Sequence, residues 1–280
     1  MTNNKTVQIK RKMVQILLYL ILIVILLWTL VPIVLMVSSS LKVEAEMFTM
    51  PPKLFFKPNI ETYVYMFKEA GFFSFFLNSI IAAGVATAFS LFIGTMGGFA
   101  LARGKFPNEK GISFWIISTR MAPLVAFIIP IYLLLAKARL VGTMVGLIYA
   151  YTTFCLPFVL WMSRNFFKDV PYAIEEAALV DGCTKFQTFH LISLPSASGG
   201  IAATAILCFM FTWNDYLYAS ILTGKETQTI TVATSLLITQ HGIAWGQAMA
   251  IGTIITLPMI FLGLAVRKYL VQGLSMGAVK

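Results

Sequence analysis

Six apolar stretches punctuate the chain, at residues 14–37, 72–102, 112–136, 144–164, 196–222 and 247–267. A helix crossing a bilayer takes about 20 mainly apolar residues. Lipid offers the backbone no hydrogen-bond partner, so such stretches close their own bonds as α-helices. The pattern predicts an all-α polytopic membrane protein, one domain over residues 1–280 with six transmembrane helices. Pro123, Pro130, Pro157 and Pro258 fall inside these runs and are tolerated where neighbouring helices re-satisfy freed groups. Gly94 and Gly98 have the spacing that lets helices approach closely, within the chain or against another subunit. Lys10, Arg11 and Lys12 precede the first run. That run is long for a signal peptide and no small-residue cleavage site follows, so we expect it to be retained as the first span.

Composition agrees with the pattern. The 280 residues are 59% hydrophobic and only 11% charged, against about 25% charged in soluble domains. The net charge of +10 fits the basic bias of cytoplasmic loops better than nucleic acid, because no basic run with interleaved aromatics lies outside the apolar segments. With the N terminus inside, Lys42, Lys53, Lys57, Lys68, Lys137, Arg139 and Lys225 fall outside and Arg120 falls within a span. The remaining 13 of the 21 basic residues fall inside. We therefore expect both termini in the cytoplasm of a cell with an inner or plasma membrane. Cys155, Cys183 and Cys208 have no metal-ligand spacing, and Cys155 and Cys208 read as buried apolar fillers. No metal site and no catalytic constellation are expected.

Two polar connections stand out. The outer stretch 38–71 carries Pro51, Pro52 and Pro58, then Asn59 and Glu61, and predicts a loop leading into a short surface helix. The inner stretch 165–195 is long for a helix connection. Asp169 is its expected N-cap, with Pro171 in the first turn. Gly182 suits a left-handed helix stop. Thr184 and Gln187 have capping-box spacing, and Pro195 is expected to end the segment. The result is two short helices meeting at a glycine. Ala177 and Ala178, side by side, would let another backbone approach.

The same residues carry a resemblance. Glu176-Ala177-Ala178, three residues, Gly182, nine residues, then Ile192-Ser193-Leu194-Pro195 is similar to the cytoplasmic signature of ABC importer permeases. The whole chain resembles the six-span permease of maltose-type carbohydrate importers. Phe211-Thr212-Trp213-Asn214-Asp215-Tyr216 is similar to that group's aromatic-Asn-acid signature, and residues 270–280 to its C-terminal tail. The resemblance implies that the inner loop is a coupling helix docking on an ATPase subunit, through Glu175, Glu176, Ala177, Ala178, Asp181, Gly182, Ile192, Leu194 and Pro195. It implies that Gln272, Gly273 and Gly277 of the tail reach the ATPase dimer. The implied partners are a second permease, two ATPase subunits and an extracytoplasmic solute-binding protein, with lipid around the spans.

The chain has no Gly-x4-Gly-Lys-Ser/Thr phosphate loop. We expect a non-catalytic subunit that binds no cofactor, with ATP and magnesium used by the ATPase. Ionisable residues inside spans are functional candidates. Arg120 is expected either to bond carbonyls freed near Pro123 or to act in gating. Asp215 is expected either as a solvated interfacial acid or as a substrate contact. Their depths differ by about 16 Å at ~1.5 Å per residue, which argues against a direct salt bridge. Trp213, Asn214, Asp215, Tyr216 and Arg120 are the candidate substrate path for a sugar or oligosaccharide, since aromatic faces stack on sugar rings and amides bond hydroxyls. Interfacial Trp and Tyr also serve simply as membrane anchors. A non-sugar solute is the alternative within the importer reading. A secondary transporter would need mid-membrane carboxylates or inverted repeats, and neither is visible.

Overall fold

The computed structural model describes residues 2–51, 53, 55–239 and 242–276; for residues 2–10, 238, 239 and 268–276 it describes the backbone alone. Within these the regular secondary structure is helical apart from a hairpin pairing Ile238–Thr239 with Gly242–Ile243 and an isolated bridge between Gly142 and Thr223. The described residues pack as two compact units, one drawn from Met1–Glu69 and Leu237–Ile254, the other from Ala70–Leu236 and Ile255–Lys280.

In the first unit a helix runs from Thr2 to Ser40. Its part Arg11–Ser40 is strongly apolar and buries none of its most apolar window within the chain. A helix apolar on every face and unburied by protein belongs in lipid. Glu44–Met47 and Glu61–Lys68 follow as short helices. Asn59 Oδ1 accepts from the Glu61 N–H at 2.7 Å and starts the second of these, as the polar opening predicted. The hydroxyls of Ser40 and Tyr63 meet at 2.7 Å and tie it to the end of the first span.

The second unit is built on two long helices, Phe72–Arg103 and Met144–Asp169. Gly94 and Gly98 set their approach. A Cβ on Gly94 would lie 2.7 Å from Val159 Cγ1, and one on Gly98 would lie 2.7 Å from Ser163 Cβ and 2.8 Å from the Arg164 backbone nitrogen. The glycine pair is therefore an intramolecular contact. Helix Ser198–Trp213 packs beside both, with Cys155 and Cys208 buried between.

Among the described residues, four helices are long and apolar enough to span a bilayer: Arg11–Ser40, Phe72–Arg103, Met144–Asp169 and Trp245–Arg267. The other two expected spans are interrupted. The run 112–136 divides into Glu109–Ser118 and Leu124–Lys137. Pro123 has no N–H to continue a helix and biases Ala122 away from helical geometry. The Ser118 and Thr119 hydroxyls bond the carbonyls of Trp115 and Ile116, closing the first piece. The run 196–222 divides into Ser198–Trp213 and Leu217–Leu222.

Candidate functional site

The loop that follows helix Met144–Asp169 is two helical arms meeting at Gly182. Helix Met144–Asp169 runs on until Asp169, so Asp169 closes the preceding helix and is not the N-cap of the next. That place belongs to Pro171, whose fixed φ and extended ψ launch Tyr172–Val180. The first arm stops as the sequence predicts. The Asp181, Gly182 and Cys183 N–H groups bond the carbonyls of Ala177, Leu179 and Ala178, with Gly182 at φ +91°. The Thr184 and Gln187 capping box is complete and opens the second arm. Pro195 does not end that arm. The arm passes through a π-helical turn, Thr188–Ser193, and continues to Ser196, since Pro195 sits in the first turn after the π segment, where its missing N–H costs little. It then meets Ser198–Trp213 at a 78° bend.

A charged clamp fixes the arms to the membrane helices. Arg103, the last residue of helix Phe72–Arg103, donates from Nε to Glu175 at 2.6 Å and from Nη2 at 2.9 Å. The same Nη2 reaches the Val170 carbonyl at 2.8 Å. Ser193 Oγ, from the second arm, donates to Glu175 at 2.9 Å. The Glu175 side chain is 3% exposed and that of Arg103 15%. One buried carboxylate thus binds three pieces of chain, and bidentate guanidinium pairing fixes angle as well as distance.

This geometry sorts the sequence-predicted coupling residues. Glu175 and Ala178 point inward. Glu176, Ala177, Asp181, Gly182 and Pro195 are exposed, Ile192 and Leu194 half-buried. Val180, at 87% exposure, and Leu179 add an apolar tip that sequence reasoning passed over. Gln272 and Gly273 continue the helix Trp245–Met276; Gly277 lies outside the described residues. Sequence reasoning also missed Arg103 and Ser193. A basic residue closing a helix immediately before Gly104 was the available signal for Arg103.

A second clamp lies alongside. Glu109 pairs with Arg164 and, at 2.8 Å, with Lys168, near the end of helix Met144–Asp169. The Lys168 hydrogen bond, helped by Arg164, holds the Glu109 carboxyl below its ordinary value against a smaller opposing effect of desolvation.

Within the second unit a cavity of about 560 Å³ is lined by Arg120, Tyr149, Thr153, Phe211, Asp215 and Tyr218 among others. Arg120 does bond a carbonyl, but that of Phe154 at 3.0 Å on the facing helix, not one near Pro123. Its guanidinium lies 4.9 Å from the Phe211 ring centre and 5.1 Å from that of Phe158, a cation–π cage. Asp215 accepts from Tyr151 Oη at 3.1 Å and from the Ala219 N–H at 3.1 Å, capping helix Leu217–Leu222. It is therefore a partly buried capping acid, and not a solvated interfacial one. No Arg120–Asp215 salt bridge forms among the described residues.

The other predicted path residues lie off this cavity. Trp213 is 1% exposed, gives its indole N–H to the Ile255 carbonyl at 3.2 Å and stacks on Phe209. Asn214 is exposed and donates to the Met210 carbonyl at 2.8 Å. Tyr216 is half exposed. Among the described residues no group of three or more His, Cys, Asp or Glu could hold a metal ion.

A family model described as "Binding-protein-dependent transport system inner membrane component" matches residues 91–276. The chain is 31% identical to the probable ABC transporter permease protein y4oR of Sinorhizobium fredii, over 88% of each chain. It is 33% identical to the diacetylchitobiose uptake system permease protein DasC of Streptomyces coelicolor, over 75% of this chain and 76% of that one. It is 29% identical to the trehalose/maltose transport system permease protein MalG of Thermococcus litoralis, over 82% and 84%. Among solved structures, a chain of the inward-facing MetNI methionine ABC transporter superposes with a TM-score of 0.56 at 14% identity, covering 76% of this chain and 99% of that one; at that identity the likeness is one of fold.

Proposed function

The chain belongs to the family of binding-protein-dependent transport system inner membrane components, and from that premise we propose that it is one permease subunit of an ATP-driven importer for a sugar or oligosaccharide. The observation that carries the coupling role is the loop held by Arg103, Glu175 and Ser193. A lever transmits motion only if its base is fixed, and here the base is a buried, charge-assisted three-way contact while Ala177, Val180, Asp181 and Gly182 stand free at the tip. That tip docks on an ATPase subunit, which uses ATP and magnesium. Two ATPase subunits, a second permease and an extracytoplasmic solute-binding protein complete the assembly. This chain contributes Arg120 and Asp215 to the translocation path. The sugar assignment is supported by relatives named for diacetylchitobiose, trehalose and maltose uptake. Both termini and the coupling loop face the cytoplasm, in keeping with the basic bias of the predicted inner loops.

Uptake into proteoliposomes containing all partners, driven by internal ATP and presented with labelled saccharides and amino acids, tests the assignment. A saccharide should accumulate only with ATP and binding protein present. Accumulation of an amino acid alone would overturn the sugar assignment, and accumulation without ATP would overturn the importer reading. Cysteines placed at Asn3, Asn108 and Lys168 should resist an impermeant thiol reagent in whole cells; ready labelling at Lys168 would reverse the orientation.

A further inference from the structure

The first unit holds a cavity of about 410 Å³ between the turn after the first span, the helix Glu61–Lys68 and the start of the helix Trp245–Met276. Lys42 lines it and is 6% exposed. Its ammonium sits 4.8 Å from the centre of the Phe56 ring. Among the described residues it meets no hydrogen-bond acceptor and no carboxylate within salt-bridge reach. An ammonium this deeply buried is normally paired. Glu44, Thr62, Tyr65 and Gln247 line the same cavity, and none of their side chains makes a hydrogen bond among the described residues. Tyr65, 44% exposed, offers an aromatic face.

We propose that this cavity is a second, outer saccharide subsite, in which Lys42 and Gln247 donate to ligand hydroxyls and Glu44 accepts from them. The assignment follows by elimination. An anion would meet Lys42 but also Glu44 and Glu61. A cation would meet Lys42. An apolar ligand would strand five polar side chains. A neutral polyol supplies donors and acceptors together and carries no charge, and the volume lies within the usual range for small-molecule sites. The proposal takes from the proposed function only the class of solute; the residues that line this cavity are not those that line the cavity at Arg120 and Asp215.

The test titrates trehalose, maltose and diacetylchitobiose against the purified full chain in nanodiscs, read by saturation-transfer NMR, alongside uptake by the complete importer. At least one of these saccharides should give a saturable signal. Its Kd should rise at least tenfold in Lys42→Met and at least threefold in Gln247→Ala. The Lys42→Met protein should melt no lower than the parent, because the buried charge removed is held only by the Phe56 ring, so weakened binding cannot be put down to unfolding. An unchanged Kd in Lys42→Met overturns the proposal. So does the absence of saturable binding when the complete importer takes up one of the three sugars, a result that leaves the importer reading intact. So does a Lys42→Met protein whose only defect is weaker capture of the solute-binding protein, which would assign the cavity to a protein contact. If the importer takes up none of the sugars, the sugar assignment fails, yet saturable binding weakened by Lys42→Met still supports the subsite.

Discussion

Replacing Glu175 with alanine should unfasten the proposed coupling loop while leaving the long apolar helices folded. The carboxylate receives Arg103 Nε at 2.6 Å, Nη2 at 2.9 Å and Ser193 Oγ at 2.9 Å. Its removal strands a guanidinium whose side chain is 15% exposed. Breaking one partner of a buried pair costs roughly 3–5 kcal/mol, whereas replacing both by apolar groups of similar size is often neutral. Some of that penalty will be relieved as Arg103 turns to water, so about 3 kcal/mol is the working figure, or about a hundredfold in an equilibrium constant. If the loop opens as a local unit, backbone amides of 172–193 should exchange about a hundredfold faster in Glu175→Ala. In the assembled importer, uptake should fall more than ATP hydrolysis does. Arg103→Met combined with Glu175→Met should restore much of the protection, a non-additivity that a double-mutant cycle measures directly. Additive single effects, or unchanged exchange in Glu175→Ala, would refute the clamp as the base of the lever.

Three further outcomes are expected from the same geometry. Gly98→Leu should drive the two long helices of the second unit apart, because even a Cβ meets the Arg164 backbone at 2.8 Å; the cost is roughly 1–3 kcal/mol or more, read as lost yield and a lower melting temperature. Gly182→Val meets nothing within 4 Å but sits at φ +91°, so a strain of about 1–2 kcal/mol falls on the turn alone; expression should persist while transport drops, and normal transport would remove this turn from the coupling pathway. Glu109 has its carboxyl held below the ordinary value of 4.5, so its link to Arg164 and Lys168 contributes fully above that value and is lost as pH falls through the lowered one. Protection factors of the amides around residues 105–111, corrected for the intrinsic pH dependence of exchange, should fall on acidification below 4.5 in the parent but lose that dependence in Glu109→Gln.

What the sequence made legible was whatever local chemistry decides. Gly182 at a helix stop, the Thr184–Gln187 box and the Asn59–Glu61 opening each involve residues within a few positions of one another, and each is present as read. The clamp was not legible, because Arg103 and Glu175 lie 72 residues apart and no periodicity links them. Asp169 illustrates competition between two good N-terminal signals. Pro171 cannot extend the helix before it and is already shaped to begin the next, so the boundary falls at the proline. Trp213 shows the limit of residue type as evidence. An indole suits a sugar face, but here its N–H is committed to Ile255 and its ring to Phe209 and Phe76.

The two spans that hydropathy joined and the structure divides share one property: both line the cavity at Arg120 and Asp215. Hydropathy averages over the run and does not register where the backbone stops being helical. Irregular backbone at membrane depth is tolerated where it is buried in protein or faces a water-filled cavity, not where it faces lipid. At residues 119–123 the Arg120 side chain crosses to the Phe154 carbonyl and lies among three phenyl rings. At 214–216 the Asp215 carboxylate caps the helix that resumes. Each ionisable residue thus stands at the break in its own span: Asp215 accepts from N–H groups of the helix that resumes, and Arg120 reaches across to a carbonyl of the facing helix. That explains how a chain so poor in charge keeps these two within its apolar runs, and why depth counted along straight helices was right to exclude their direct pairing yet did not show that they border the same space.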